Sequence, residues 1–102
     1  MAVLRTSGGL NVAKPTEDNI RAVLEALPRD GHVIVDGAHD DLYIQVWFRP
    51  NGVYQLEHRA GSPDQHFKTL TVSRDKVGDA LLGWCDGKTG WIEQFEWESI
   101  GD

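Results

Sequence analysis

The side chains that could do chemistry are few: one cysteine, four histidines and sixteen carboxylates in 102 residues. A cysteine nucleophile needs a thiolate beside an oriented base, and Cys85 falls near the end of a predicted helix, where the backbone dipole disfavours an anion. It reads as a small packing residue, and alone it can form neither an intramolecular disulfide nor a multi-cysteine zinc site. His32, Asp36, His39, Asp40 and Asp41 are the densest set of possible metal ligands, but their spacing matches no zinc or calcium loop, and acidic residues there suit a solvated turn. His58, His66 and Glu57 are the remaining candidates for acid–base work. Alternation along a strand turns Glu57 away from His58, and a core histidine bonded to a neighbour is the plainer reading. Ser7-Gly8-Gly9 has neither the Lys-Ser/Thr of a phosphate loop nor a dinucleotide-binding spacing. These residues define no catalytic set and call for no cofactor.

The element that must position them is the run LYIQVWFRPNGVYQLEHR from Leu42 to Arg59. Arg49-Pro50-Asn51-Gly52 supplies proline's fixed φ, an asparagine tolerant of bent backbone, and a glycine able to take φ > 0, so it writes a hairpin with a three-residue loop closing on a glycine bulge. If Arg49 faces Val53, then Phe48 pairs with Tyr54, Val46 with Leu56, Ile44 with His58 and Leu42 with Ala60. That face is almost wholly apolar. The opposite face sets Arg49, Trp47, Gln45 and Tyr43 against Val53, Gln55, Glu57 and Arg59. Trp47 and Tyr43, beside Arg49 and Arg59, have the character of interface anchors. The alternative is that an N-terminal hairpin or the C-terminal tail covers them.

The remaining elements follow in chain order. Short strands at Ala2–Thr6 and Leu10–Ala13 flank Ser7-Gly8-Gly9. Thr16 caps a helix whose Ile20, Val23, Leu24 and Leu27 form an apolar stripe and which Pro28 ends. A third strand covers His32–Val35, and a fourth extended run, His66–Val72, follows the central hairpin. Ser73 caps a second helix over Arg74–Asp86, closed by Gly87, with Val77, Ala80, Leu81 and Trp84 on its stripe and Gly78 and Gly83 weakening it. A final strand is predicted at Phe95–Ser99. Strands and helices without regular βαβ alternation predict one α+β domain spanning 1–102, with a mainly antiparallel sheet of five to six strands and both helices on one face. A chain of this length buries about 60–65% of its unfolded surface, enough for one modest core.

Charge and hydropathy narrow the function. An apolar fraction of 40% with 25% charged residues is globular composition. The formal net charge of −6 argues against nucleic-acid or acidic-membrane binding and favours a basic protein partner. With neither a signal-like apolar segment nor a run long enough to span a bilayer, a cytoplasmic location is the expectation. Glu96 and Glu98, with Glu93 and Asp102, form an acidic edge that would complement a basic cleft.

YIQV, QLEHRAGSPDQHFK, the helix containing LLGW and the closing WIEQFEW resemble small actinobacterial proteins of unassigned function. The layout of helix, antiparallel meander, second helix and Trp-containing strand is also similar to bacterial polymorphic-toxin immunity proteins. That resemblance implies a compact acidic protein that blocks a toxin and catalyses nothing. That resemblance carries over no residue; the hairpin register and the acidic edge are what place Tyr43, Trp47, Arg49, Glu57, Arg59, Glu96 and Glu98 at the expected interface. Two other classes stay open: a small ligand-binding protein or enzyme using His58, His66 and Glu57 between sheet and helices, and a homodimer through the open sheet face.

Overall fold

The structure is a computed structural model that describes residues 2–101. Seven strands form one sheet: β1 (Val3–Thr6), β2 (Asn11–Ala13), β3 (His32–Asp36), β4 (Leu42–Phe48), β5 (Tyr54–Ala60), β6 (His66–Thr71) and β7 (Glu98–Ser99). Their order is β2-β1-β3-β4-β5-β6-β7, with every neighbouring pair antiparallel. Two helices, α1 (Glu17–Ala26) and α2 (Arg74–Cys85), carry the connections from β2 to β3 and from β6 towards β7. The α+β class and antiparallel sheet are as the sequence predicts. The strands outnumber the expected five to six because both short N-terminal strands join the sheet and β7 adds its far edge.

The central hairpin sets the two faces. Its turn closes with Arg49 N–H donating to the Val53 carbonyl at 2.8 Å and Gly52 N–H to the Arg49 carbonyl at 2.9 Å, with Gly52 at φ 87°, a value that favours glycine. Phe48 is opposite Tyr54, Val46 opposite Leu56, Ile44 opposite His58 and Leu42 opposite Ala60, the register the turn chemistry predicts. Leu4, Val33, Val35, Ile44, Val46 and Leu56 therefore point to one side and are fully buried, against Ile20 and Leu24 of α1 and Val77, Ala80 and Leu81 of α2. Removing such branched chains from water is the main favourable term in holding the layers together.

Both helix starts are built as their sequences suggest. Thr16 Oγ1 accepts from Asn19 N–H at 3.2 Å while Asn19 Oδ1 accepts from Thr16 N–H at 3.0 Å, a reciprocal capping box. Ser73 Oγ accepts from Lys76 N–H at 3.2 Å, and Gly87 follows α2 at φ 71°.

The C-terminal segment departs from expectation. The strand predicted over Phe95–Ser99 is only Glu98–Ser99, and a 3-10 helix, Gly90–Gln94, precedes it. Buried indoles need acceptors for their N–H groups. The turn supplies them: Trp91 Nε1–H donates to the Lys88 carbonyl at 2.7 Å and Trp97 Nε1–H to the Ile92 carbonyl at 2.9 Å. Packing of Trp91, Phe95 and Trp97 into the end of the core overrides the period-two alternation that suggested a longer strand.

The α2 glycines, read as weaknesses, are points of close approach. A methyl group on Gly83 would meet Trp91 Cδ1 at 2.5 Å, and one on Gly78 would run into the Arg21 guanidinium of α1. Arg21 lies there because it donates to Asp79 Oδ1 at 2.7 Å and to the Asp75 carbonyl at 3.2 Å, which ties the helices together. Helix propensity alone favours alanine at position 83 by about 1 kcal/mol. The contact with Trp91 reverses that sign. Gly83→Ala is expected to destabilise the fold by about 1–3 kcal/mol in urea denaturation; a stabilised variant would show that Trp91 does not pack on α2.

Candidate functional site: the open sheet face

Opposite the helices, the sheet is covered by no helix or hairpin among the described residues. The N-terminal hairpin extends the sheet beside β3 instead of folding over Trp47, and the C-terminal segment packs on the helix side. Strand alternation brings His32, Tyr43, Gln45, Trp47, Gln55, Glu57, Arg59 and His66 to this face.

These side chains form one ordered array. Trp47 stacks on His32, ring centroids 5.9 Å apart and planes 5° apart, and the Arg49 guanidinium lies 5.5 Å from its ring. Its Nε1–H donates to Asp30 Oδ1 at 3.0 Å. Tyr43 carries the Arg59 guanidinium 5.5 Å from its ring centroid and meets His66 edge-on. Each aromatic is thus half-buried by its neighbours with part of its ring left to solvent.

A hydrogen-bonded chain joins the two aromatic clusters. Arg49 Nε–H and Nη2–H donate to Gln55 Oε1 at 3.1 and 2.6 Å. Gln55 Nε2–H donates to Glu57 Oε2 at 2.7 Å, and Glu57 Oε1 lies 2.7 Å from His66 Nε2. Arg59 Nε–H reaches His66 Nδ1 at 3.0 Å, while its Nη1–H reaches Asp41 Oδ1 at 3.0 Å. Arginine has no acceptor, so Nδ1 must carry the lone pair and Nε2 the proton that Glu57 accepts. Both ring nitrogens of His66 are thus engaged, Nε2 by Glu57 and Nδ1 by Arg59, with the Tyr43 hydroxyl 3.4 Å from the same Nδ1. A histidine general base would need that lone pair turned to a substrate.

Of the seven residues predicted to meet a partner, Tyr43, Trp47, Arg49, Glu57 and Arg59 are brought together here. Glu98 lies at the far edge on the same face, its carboxylate 3.6 Å from Lys68 Nζ. Glu96 is exposed just before β7; its backbone carbonyl accepts from Thr69 Oγ1 at 2.8 Å.

His58, by contrast, is on the helix side and shares no site with His66 and Glu57. It is 7% exposed and held by rings: Phe67 stacked at 5.1 Å, with Trp91 and Trp97 edge-on at 5.1 and 4.6 Å. The expected hydrogen bond to a neighbour belongs to His66, while His58 is packed by aromatics. Burial, with a smaller contribution from His66, lowers its pKa to about 4. The Cys85 thiol is raised by burial first and by Asp86 second, which disfavours the thiolate. The acidic loop also resolves into pairs: Asp36 meets Arg5 at 2.6 Å and Asp41 meets Arg59. Among the described residues no three His, Cys, Asp or Glu side chains converge on a metal-sized site, and no helix is long and apolar enough to cross a membrane.

A concavity of about 700 Å³ lies between α1 and the β1–β2 turn and is lined by Leu10, Val23, Ala26 and Pro28 among others. None of the three sequence-predicted acid–base residues lines it. Its hydroxyls already serve the backbone, Thr6 Oγ1 accepting from Leu10 N–H and Ser7 Oγ from His32 N–H.

No protein-family model, curated protein or solved structure matches this chain.

Sequence reasoning missed Asp30, His32 and Asp41 as members of the array, and the bond from His66 to Glu57. The signal for the last was present. Pairing Ala60 with Gln65 across Gly61–Asp64 puts His66 opposite Arg59 and diagonal to Glu57 on one face.

The depressed His58 pKa has a definite pH consequence. Below the ordinary histidine value of about 6.5 the unfolded chain takes up a proton that the native ring refuses until about pH 4. Stability contributed by neutral His58 is therefore present above pH 6.5 and is lost as pH falls from there towards 4. With solvent screening discounted, the loss between pH 7 and pH 5 is about 1 kcal/mol. His58→Phe, which fits the aromatic surroundings and does not titrate, should flatten that part of the profile in urea melts. An unchanged slope would place the titration elsewhere.

Proposed function

We propose that this chain is a non-enzymatic protein-binding module, immunity-like in kind, which neutralises a basic toxin or effector by docking its open sheet face. The observation that carries the reading is the array around Trp47 and Tyr43. Two large aromatics stand on an uncovered sheet, each braced by a guanidinium and a histidine, so little side-chain freedom remains to be lost on association. Tryptophan, tyrosine and arginine set in a rigid patch are the composition of interface centres.

Charge supports a basic partner. Glu57 is oriented by hydrogen bonds with His66 and Gln55, and Asp30 by the Trp47 indole, so among the described residues neither carboxylate is tied to a lysine or arginine. Glu98 and exposed Glu96 extend acidity along one edge, and the net charge of −6 would speed encounter with a cationic surface. Engagement of both His66 ring nitrogens favours recognition over acid–base chemistry at the same place.

Affinity capture from the native cell lysate tests the reading, with wild type compared against a folded Tyr43→Ala/Trp47→Ala variant. One basic protein should be retained by wild type, with affinity falling about 30-fold or more in the variant. Equal retention by both chains would move binding off this face. A partner-free wild type whose mass doubles with concentration would replace the reading with a homodimer.

A further inference from the structure

The outer edge of β6 is left half-paired, and the missing part is specific. β7 covers it at two positions, Ser99 opposite Phe67 and Glu98 opposite Lys68, with Ile100 N–H donating to the His66 carbonyl at 2.9 Å. On the other side of β6, Ala60 N–H donates to the Gln65 carbonyl at 2.9 Å. That bond sets the phase of the ladder with β5: Phe67, Thr69 and Thr71 turn their backbone groups towards β5, and His66, Lys68 and Leu70, with the N–H of Val72 just past the strand, turn theirs outward.

Continuing β7 by one rung would set Glu96 opposite Leu70. The chain does not make that rung, because the Glu96 carbonyl accepts from Thr69 Oγ1 and the preceding residues turn inward with Phe95 and Trp97. Among the described residues, the Leu70 N–H and C=O and the Val72 N–H have no backbone partner. Their side chains stay out as well, Leu70 at 48% and Val72 at 77% exposure. The run Thr69-Leu70-Thr71-Val72 has no proline, glycine or charge to discourage pairing, the usual protections of an edge. A groove of about 430 Å³ runs beside it, lined also by Lys68, Lys76, Gln94, Phe95, Glu96 and Glu98.

We infer that this groove takes an extended peptide segment of a partner protein, which pairs with β6 at Leu70 and Val72 as a further strand of the sheet. Main-chain bonds to the outward N–H and C=O groups supply the docking, and alternate apolar side chains of the segment cover Leu70 and Val72. A basic residue in the segment meets Glu96. A second copy of this chain fits less well. Edge-to-edge pairing about Leu70 would bring Glu96 and Glu98 against their own counterparts between two chains of net charge −6. The inference stands on the β6 edge alone and does not depend on the open-face reading.

The test uses a phage-displayed library of random heptapeptides selected on the full chain, with enriched peptides synthesised and titrated by fluorescence anisotropy. Leu70→Pro removes only an outward N–H, a change edge strands tolerate, while Leu70→Ala keeps that donor. Binding should weaken about tenfold or more in Leu70→Pro, less in Leu70→Ala, and stay within about threefold of wild type in Tyr43→Ala/Trp47→Ala. N-methylating alternate amides of the peptide tests the same bonds from the other side, whatever the stability of the proline variant. One set of alternate positions should abolish binding and the other should not. Selection of no peptide above an unrelated-protein control, or equal sensitivity to both methylation sets, would overturn the inference. Peptides lost by Tyr43→Ala/Trp47→Ala but retained by Leu70→Pro would also overturn it, and would place binding on the open face instead.

Discussion

Everything in this molecule depends on the register of one hairpin. Strand side chains alternate with period two, so a slip of one residue between β4 and β5 would turn one strand over relative to the other: if β5 moved, Leu56 and His58 would go into solvent while Glu57 and Arg59 were driven under the helices. The Arg49–Gly52 turn prevents the slip locally, and the helices enforce it globally, because only one face of these strands is apolar enough to bury. The same constraint therefore makes both the core and the surface array. Burial of Ile44 against α2 and exposure of Trp47 are two results of a single pairing.

On the open face the constraint is refined by hydrogen bonding. Glu57, His66 and Arg59 are bound in a fixed order of donor and acceptor, since arginine can only donate and an ionised carboxylate can only accept. The imidazole between them has one arrangement that satisfies both neighbours. Tyr43 is packed against the histidine and beneath the guanidinium, and at the other end Gln55 and Arg49 continue the chain of bonds to Trp47. A flat aromatic surface held in this way suits recognition. The β6 edge differs in kind: there the side chains are simple and the main chain itself is left wanting a partner.

Much of this was legible in the residues because its causes are local. Pro50-Asn51-Gly52 and the alternation on either side contain the hairpin, its loop and its register; Thr16 and Ser73 announce the helix starts; the stripes at Ile20–Leu27 and Val77–Leu81 say which helix faces are buried. The parts that were not legible rest on contacts between distant segments. Asp30 and His32 come to Trp47 only through the pairing of β3 with β4, and His66 comes to Glu57 only across the β5–β6 ladder. Phe95–Ser99 reads as alternating when taken alone, yet Phe95 and Trp97 must share the end of one core with Trp91, and after the 3-10 turn at Gly90–Gln94 only Glu98–Ser99 pairs as a strand. Gly83 reads as a flaw in a helix until Trp91 is seen against it.

If the open face is the rigid recognition surface proposed for it, His66 donates from Nε2 to Glu57 and accepts at Nδ1 from Arg59. Nitrogen-15 NMR of the imidazole rings at pH 8 tests it most directly. The expected result is a single neutral tautomer for His66, protonated at Nε2 and unprotonated at Nδ1, with a scalar or exchange signature of a hydrogen bond to Glu57. A proton on Nδ1, leaving Nε2 free as a base, or rapid averaging between the two tautomers, would contradict it and leave this face with a nitrogen able to act as a base.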